Sequence, residues 1–307
     1  MKYDVIIIGA GLGGLIAGAK LAKEGKKVLV AEQHSVPGGY ATTFQRKDFL
    51  FEVGLHEMYG PAPGDMETRI FNELEVFNAV SFIRIPEFYR FVNGRVDVTL
   101  PHDPAIATEK LCALFPGETE GINAFFAHLL KPRKKAAEND LPDMSLGAFI
   151  DSIIHNNELK LILLGNLGYY HDDPYSLSLA FYTGAQGSYF SGGASFIKGG
   201  SQQLSDYLMG YIRNHDGEVL LSHTVTGIIT EDRKAAGISY KRKVNTASEV
   251  SEARADEIIA SAAMPNIAAL LPTEYGAVLK NELQHQKTGP SLLTVYLGFS
   301  KPLRDLG

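Results

Sequence analysis

Asp4-Val-Ile-Ile-Ile8, followed at once by Gly9-Ala-Gly11-Leu-Gly13-Gly14, is the stretch that decides the fold. The first part is a short apolar run rich in β-branched residues, the pattern of a strand covered on both faces in a parallel sheet. From Leu12 to Glu24, the residues Leu15, Ile16, Ala19 and Leu21 supply one apolar helix face. Gly25 stops that helix, and Lys26-Lys27-Val-Leu-Val-Ala31 resumes as a strand. This βαβ unit predicts two adjacent parallel strands with the glycine turn at the carboxyl edge of the sheet.

Each glycine in the turn has a physical task if a dinucleotide binds there. Gly9 makes the tight turn, Gly11 lets a pyrophosphate approach the backbone, and Gly14 lets helix and strand pack closely. The helix N-terminus adds unpaired N–H groups and partial positive charge for the phosphates. Glu32 stands 18 residues beyond Gly14, at the end of the second strand, where a carboxylate accepts ribose hydroxyls. That carboxylate disfavours the 2′-phosphate of NADP, while FAD and NAD both remain open from this motif.

Composition narrows the function further. The 307 residues are 45% hydrophobic and 21% charged, enough for one large core or two smaller ones. Lys plus Arg number 29 against 35 Asp plus Glu, a net charge of -6, which argues against nucleic acid as a partner. The single cysteine, Cys112, forms no intramolecular disulfide or thiolate cage and suits a reducing, cytoplasmic setting. Lys2 and the run Val5 to Ala19 imitate a signal peptide, but that run carries five glycines belonging to the longer pattern that ends at Glu32. No apolar stretch is long enough to predict a transmembrane span.

Along the remaining chain, Phe88 to Val92 and Arg95 to Leu100 flank Asn93-Gly94 and predict a hairpin with a type I′ turn. Helical signals dominate from Asp103 to about Asn157, with starts at Asp103-Pro104 and Ser145. Tyr169 to Gly200, rich in Gly, Ser and aromatic residues, reads as an extended connection lining a cleft. Ser201 caps a helix to about Asn214, followed by strands at 218–221, 224–229, 237–243 and 256–260. A short helix at 265–271 and a last strand at 291–299 complete the reading.

Pro37-Gly38-Gly39 follows Glu32 without room for a crossover helix. With Gly9, Gly11, Gly14, Gly18, Leu21, Gly25, Val28, Val30, Glu32, Gly38 and Gly39, the N-terminus resembles the extended FAD signature of the amine-oxidase and phytoene-desaturase superfamily. Phe49 to His56, Phe196 to Ser201 and Ser261 to Pro265 resemble later segments of the branch holding carotenoid desaturases, carotenoid isomerases and retinol saturases. The resemblance implies pyrophosphate contacts at Gly9, Gly11, Leu12, Gly13 and Gly14, and ribose contact at Glu32. It also implies closure by Gly38 and Gly39, and backbone recognition of adenine at Val225. Many relatives carry arginine where Tyr40 stands, so a phosphate contact at that position does not transfer. Relatives also continue to a C-terminal segment that covers the flavin ring; without it, the flavin is expected to be exposed, its binding weak and turnover poor, unless a separate polypeptide or the rest of a longer parent chain completes the site.

The implied fold class is α/β: a Rossmann-like FAD-binding domain at 1–77 and 193–263, and a second α+β substrate domain, a sheet with a helical insertion, at 78–192 and 264–307. The implied function is FAD-dependent oxidoreduction at carbon–carbon bonds of an apolar polyene. The alternatives are a flavin amine oxidase and a non-catalytic binding protein such as the Rab GDP-dissociation inhibitors, which resemble the superfamily but lack an intact FAD signature. No catalytic residue is singled out. His56-Glu57 opens like a zinc motif but fails at Gly60, so no metal site is expected. His171-Asp172-Asp173-Pro174 reads as a turn. The aromatic stretch from Tyr169 to Phe190 suits either core or an apolar substrate wall. Lys131-Pro-Arg-Lys-Lys135 offers a peripheral seat on anionic lipid, against the commoner reading of a solvated helix end.

Overall fold

The computed structural model describes residues 2–130, 144–243, 249–286, 289 and 291–305. β1 (Lys2–Ile8), α1 (Leu12–Lys23) and β2 (Val28–Ala31) form the expected unit, with the two strands parallel from Val5 opposite Val28 to Ile8 opposite Ala31. The hairpin of β3 (Thr43–Arg46) and β4 (Phe49–Glu52) follows, then β5 (Met58–Tyr59), α2 (Met66–Glu73) and β6 (Phe82–Ile85). A ribbon of β7 (Glu87–Val92) and β8 (Asp97–Pro101) leads into α3 (Pro104–Leu114), α4 (Thr119–Leu129), α5 (Leu146–Ile153), α6 (Asn157–Leu163) and α7 (Leu179–Gly192). β9 (Ala194–Ile197) pairs with both β5 and β6, and α8 (Gln202–Asn214) returns the chain to the first sheet. β10 (Glu218–Leu220), β11 (His223–Glu231), β12 (Lys234–Arg242), β13 (Ser251–Ala260), α9 (Met264–Leu270) and α10 (Thr273–Leu283) follow.

The large sheet has the order β10-β2-β1-β13-β12-β11. Its first four strands are parallel, and β11, β12 and β13 form an antiparallel meander whose last strand lies beside β1. Asp232 and Arg233 join β11 to β12 with φ of 47° and 65°, the left-handed pair that a two-residue hairpin turn requires. Alternation along the central strands sends Val5, Ile7, Val28 and Val30 to one face, under α1 and α8. It sends Ile6, Ile8, Leu29 and Ala31 to the other, which shares a core with Val225, Ile228 and Ile267. α9 therefore packs on the large sheet. A separate core joins Val98 and Leu100 of β8 to α3–α7 through Leu111, Phe125, Ile150 and Tyr182. Each such buried side chain contributes about 1.5–3 kcal/mol.

The predicted helix starts at Asp103 and Ser145 are both present. Asp103 Oδ1 accepts from the N–H groups of Ala105 and Ile106 at 2.9 and 3.1 Å, and Ser145 Oγ from Ala148 N at 3.2 Å. Ser201 begins α8 differently: its hydroxyl donates to the Glu52 carboxylate, which also accepts Ser201 N–H at 2.9 Å. Capping thus comes from β4, 149 residues away in sequence.

Three expectations are corrected. The stretch 169–200 is not an extended connection, because it contains the 14-residue helix α7 and strand β9. Its glycines permit packing: a Cβ on Gly187 would lie 2.5 Å from the Leu129 carbonyl of α4. Residues 291–299 enter no strand and are exposed, with Tyr296 resting edge-on against Phe44 at 5.1 Å. Asn93-Gly94 is not a two-residue turn. Val92 pairs with Asp97 across a four-residue loop, and Asn93 Oδ1 accepts from Arg95 and Val96 N–H, so a side-chain acceptor replaces the type I′ backbone. Among the described residues no helix is long and apolar enough to cross a membrane, and Lys131 to Lys135 lie outside them.

His102 is 4% exposed, and its ring centroid lies 4.6 Å from that of Phe88. Burial, with Arg84 nearby, pushes its pKa down to about 4. The unfolded chain therefore takes up a proton near pH 6.5 that the folded chain refuses until about pH 4, so stability falls as pH drops through that window. The loss reaches about 3 kcal/mol at the acid end. His102→Phe should flatten this acid limb, as urea melts at pH 4.5 and 7 will register. Equal acid sensitivity of variant and parent would remove His102 as the cause.

Candidate dinucleotide cleft

The carboxyl ends of β1, β2 and β13 open together into a cleft of about 1320 Å³. This exceeds the roughly 300–1,000 Å³ usual for small ligands and suits a dinucleotide. Backbone hydrogen bonds at its floor hold the strand ends: Gly9 N to Ala31 O at 2.9 Å, and Ser261 N to Ile8 O at 2.8 Å. Gly9 has φ of +99°, and a Cβ there would come within 2.5 Å of the Ser261 carbonyl. Glycine at this position therefore meets a demand of the chain itself.

Gly11 differs. Its φ is -66°, which any residue adopts, and a Cβ built on it meets nothing within 4 Å. The space beside it belongs to the cleft, and α1 starts immediately after it with no acidic residue in its first turn. The positive end of the helix therefore faces the opening without internal compensation. Gly38 N–H donates to Ala10 O at 2.7 Å and bridges its loop to Gly11, so the 37–39 turn folds back against the start of α1.

Glu32 is 6% exposed and fully engaged at the level of its two oxygens. Oε2 accepts Ala10 N–H and Oε1 accepts His34 N–H, each at 2.8 Å. Its main-chain carbonyl accepts His223 N–H at 2.8 Å, which brings the start of β11, and Val225 with it, to the same end of the cleft.

Of the nine residues expected at the site, Gly9, Gly11, Leu12, Glu32, Gly38, Gly39 and Val225 line the cleft. Gly13 and Gly14 do not. Gly14 is buried, where a Cβ would collide with the Gly9 carbonyl, so its task is helix-to-strand packing. Gly13 is exposed, and a Cβ there would lie 3.4 Å from the Ser261 hydroxyl. The sequence reading missed Tyr40, Gly54, Ser261, Asn266 and Leu270, all of which line the cleft. Ser261 to Pro265 had signalled a strand-to-helix junction, but nothing local marks Asn266 or Leu270 as wall residues. No Lys or Arg stands among the described lining residues.

Other candidates fall elsewhere. His56 is exposed, and burial raises the Glu57 carboxyl above the usual carboxylate range. No group of three metal-ligating side chains occurs among the described residues. Asp173 accepts Tyr175 N–H at 3.0 Å, as the turn reading of 171–174 requires. The aromatic stretch is divided: Tyr182 and Phe190 are core, Tyr169, Tyr175 and Phe181 are exposed, and Tyr189 stacks on Phe88 at 5.5 Å. None of these lines the cleft.

The residues present fit a dinucleotide carrying a central diphosphate, and comparison with known proteins points the same way. The chain is 25% identical to zebrafish (Danio rerio) all-trans-retinol 13,14-reductase over 353 aligned positions, covering 99% of this chain and 55% of that protein. It is 28% identical to prolycopene isomerase 2 of an Oncidium hybrid cultivar over 269 positions, covering 77% of this chain and 45% of that one. The chain thus spans about half the length of the curated relatives it matches. An oxidoreductase from Methanosarcina mazei superposes with a TM-score of 0.70 at 21% identity, over 93% of this chain and 65% of the other, which establishes the shared fold. The model of flavin containing amine oxidoreductases matches residues 12–307, and the chain belongs to that family.

Proposed function

We propose that this chain binds FAD and serves FAD-dependent oxidoreduction at carbon–carbon bonds of an apolar polyene. The observation that carries the reading is the open space at Gly11, which serves no packing need of the chain and lies at the N-terminus of α1. When bound, the flavin supplies hydride exchange, and the protein binds and orients. N–H groups at the start of α1 meet the diphosphate, with the 37–39 turn closing over it. Glu32 holds the turn through Ala10 and offers its remaining lone pairs to a ribose. The backbone at Val225, beside Leu270, receives the adenine. FAD is favoured over NAD because the chain leaves β2 through the 33–42 loop, which folds back onto Gly11 where a crossover helix would otherwise begin. Residues 1–77 and 193–263 form the nucleotide unit in this reading, with α9 packed against it, and the α3–α7 cluster belongs to the substrate side. The polyene assignment draws on the relatives whose names specify retinol and prolycopene.

Calorimetric titration with FAD tests the site. Gly11→Ala should lower affinity at least tenfold with the melting temperature unchanged, since the added methyl meets only the ligand. Unchanged affinity would overturn the diphosphate position. Glu32→Ala should lower both affinity and stability, the latter by about 1–3 kcal/mol, because two N–H groups lose their acceptor. A variant with weakened binding but an unaltered melt would show that the clamp on Ala10 carries no stability. For the substrate class, retinol or prolycopene added to FAD-loaded protein should shift the flavin absorbance bands. A shift with amines and none with either polyene would overturn the polyene assignment.

A further inference from the structure

Tyr40 is 83% exposed, yet the residue that follows it, Ala41, is anchored in the cleft wall. Ala41 N–H donates to Gly38 O at 3.0 Å, and the Ala41 carbonyl accepts the buried Ser205 hydroxyl at 2.7 Å. The stem of the tyrosine rests on Gly54. A Cβ built at Gly54 would lie 3.2 Å from Tyr40 Cβ and 3.4 Å from Cδ1, so a side chain there would displace the ring. The ring itself lines the cleft and has no hydrogen-bond or ring partner among the described residues. The exposed ring is free to be covered by a ligand.

The layout of the cleft says by which part. Hydrogen bonds join His223 to Glu32 and Glu32 to Ala10, and Gly11 is bridged to Gly38, so these lining segments adjoin in that order. Tyr40 follows Gly39 directly in the chain and its stem rests on Gly54, and all three residues line the cleft. A ligand with adenosine at Val225 and diphosphate at Gly11 extends its other half towards Tyr40. We propose that Tyr40 is a positioning residue that stacks on the half of the dinucleotide remote from adenine, fixing the flavin side by ring contact where the described wall provides no Lys or Arg. This rests on the FAD reading above and adds a residue and a role to it.

The test compares FAD with ADP, which shares the adenosine and diphosphate but lacks the flavin half. Both are titrated into the 307-residue protein and into Tyr40→Ala and Tyr40→Phe by calorimetry, and the emission of bound FAD is recorded. Tyr40→Ala should weaken FAD binding about three- to tenfold, the range for one lost aromatic contact, and leave ADP unchanged. Tyr40→Phe should restore FAD affinity. Bound FAD should emit more strongly in both variants, because a phenol stacked on an excited flavin quenches it by donating an electron and a phenyl ring does not. Equal weakening of FAD and ADP, no change in FAD affinity, or unchanged emission would overturn the proposal. Failure of the parent protein to bind either ligand would instead overturn the nucleotide reading on which it rests.

Discussion

The clamp between the Glu32 carboxylate and Ala10 N–H is the interaction on which the cleft depends. It ties the end of β2 to the middle of the glycine turn, and the same residue's carbonyl receives His223 N–H from β11. Three segments far apart in sequence are thus held within one hydrogen-bonding neighbourhood. Both oxygens of this buried carboxylate are satisfied by backbone N–H donors. Among the described lining residues the basic side chains are two histidines, His34 and His223, with no Lys or Arg.

Glycine serves several purposes in this chain. At Gly9 it answers a left-handed backbone and a neighbouring carbonyl, and at Gly14 and Gly187 it permits close approach of a helix. At Gly11 none of these reasons applies, and the space left open is the cleft's own. Distinguishing the four cases requires knowing what stands opposite each residue. The same holds for Gly54, whose missing side chain seats Tyr40.

The two bodies of the molecule are built on different constraints. Around the large sheet, alternating burial sets the register of β1 and β2, so every second residue is committed to one helical layer or the other. In the helical body, aromatic and leucine side chains pack α3–α7 against β8, and a buried polar contact, Asn166 to Gln186 at 2.9 Å, links the segment after α6 to α7. The small sheet of β5, β9 and β6 joins them, since β9 follows α7 and leads directly into α8.

By itself, the sequence determined β1, α1 and β2, strands at 224–229, 237–243 and 256–260, the helix starts at Asp103 and Ser145, and seven of the residues that line the cleft. These follow from local periodicity, from capping side chains within three residues of their partners, and from glycines adjacent to one strand. Tertiary structure alone decided α7, the capping of α8 by Glu52, the unpaired course of 291–299, and the contribution of Asn266 and Leu270 to the cleft. In α7, Gln186 and several glycines interrupt the apolar stripe of Leu179, Tyr182 and Phe190, and they become favourable only once α4 and Asn166 lie against them. The division is physical. Periodicity encodes what a segment does with its own neighbours, whereas close approach and polar satisfaction depend on atoms that only the folded chain brings near.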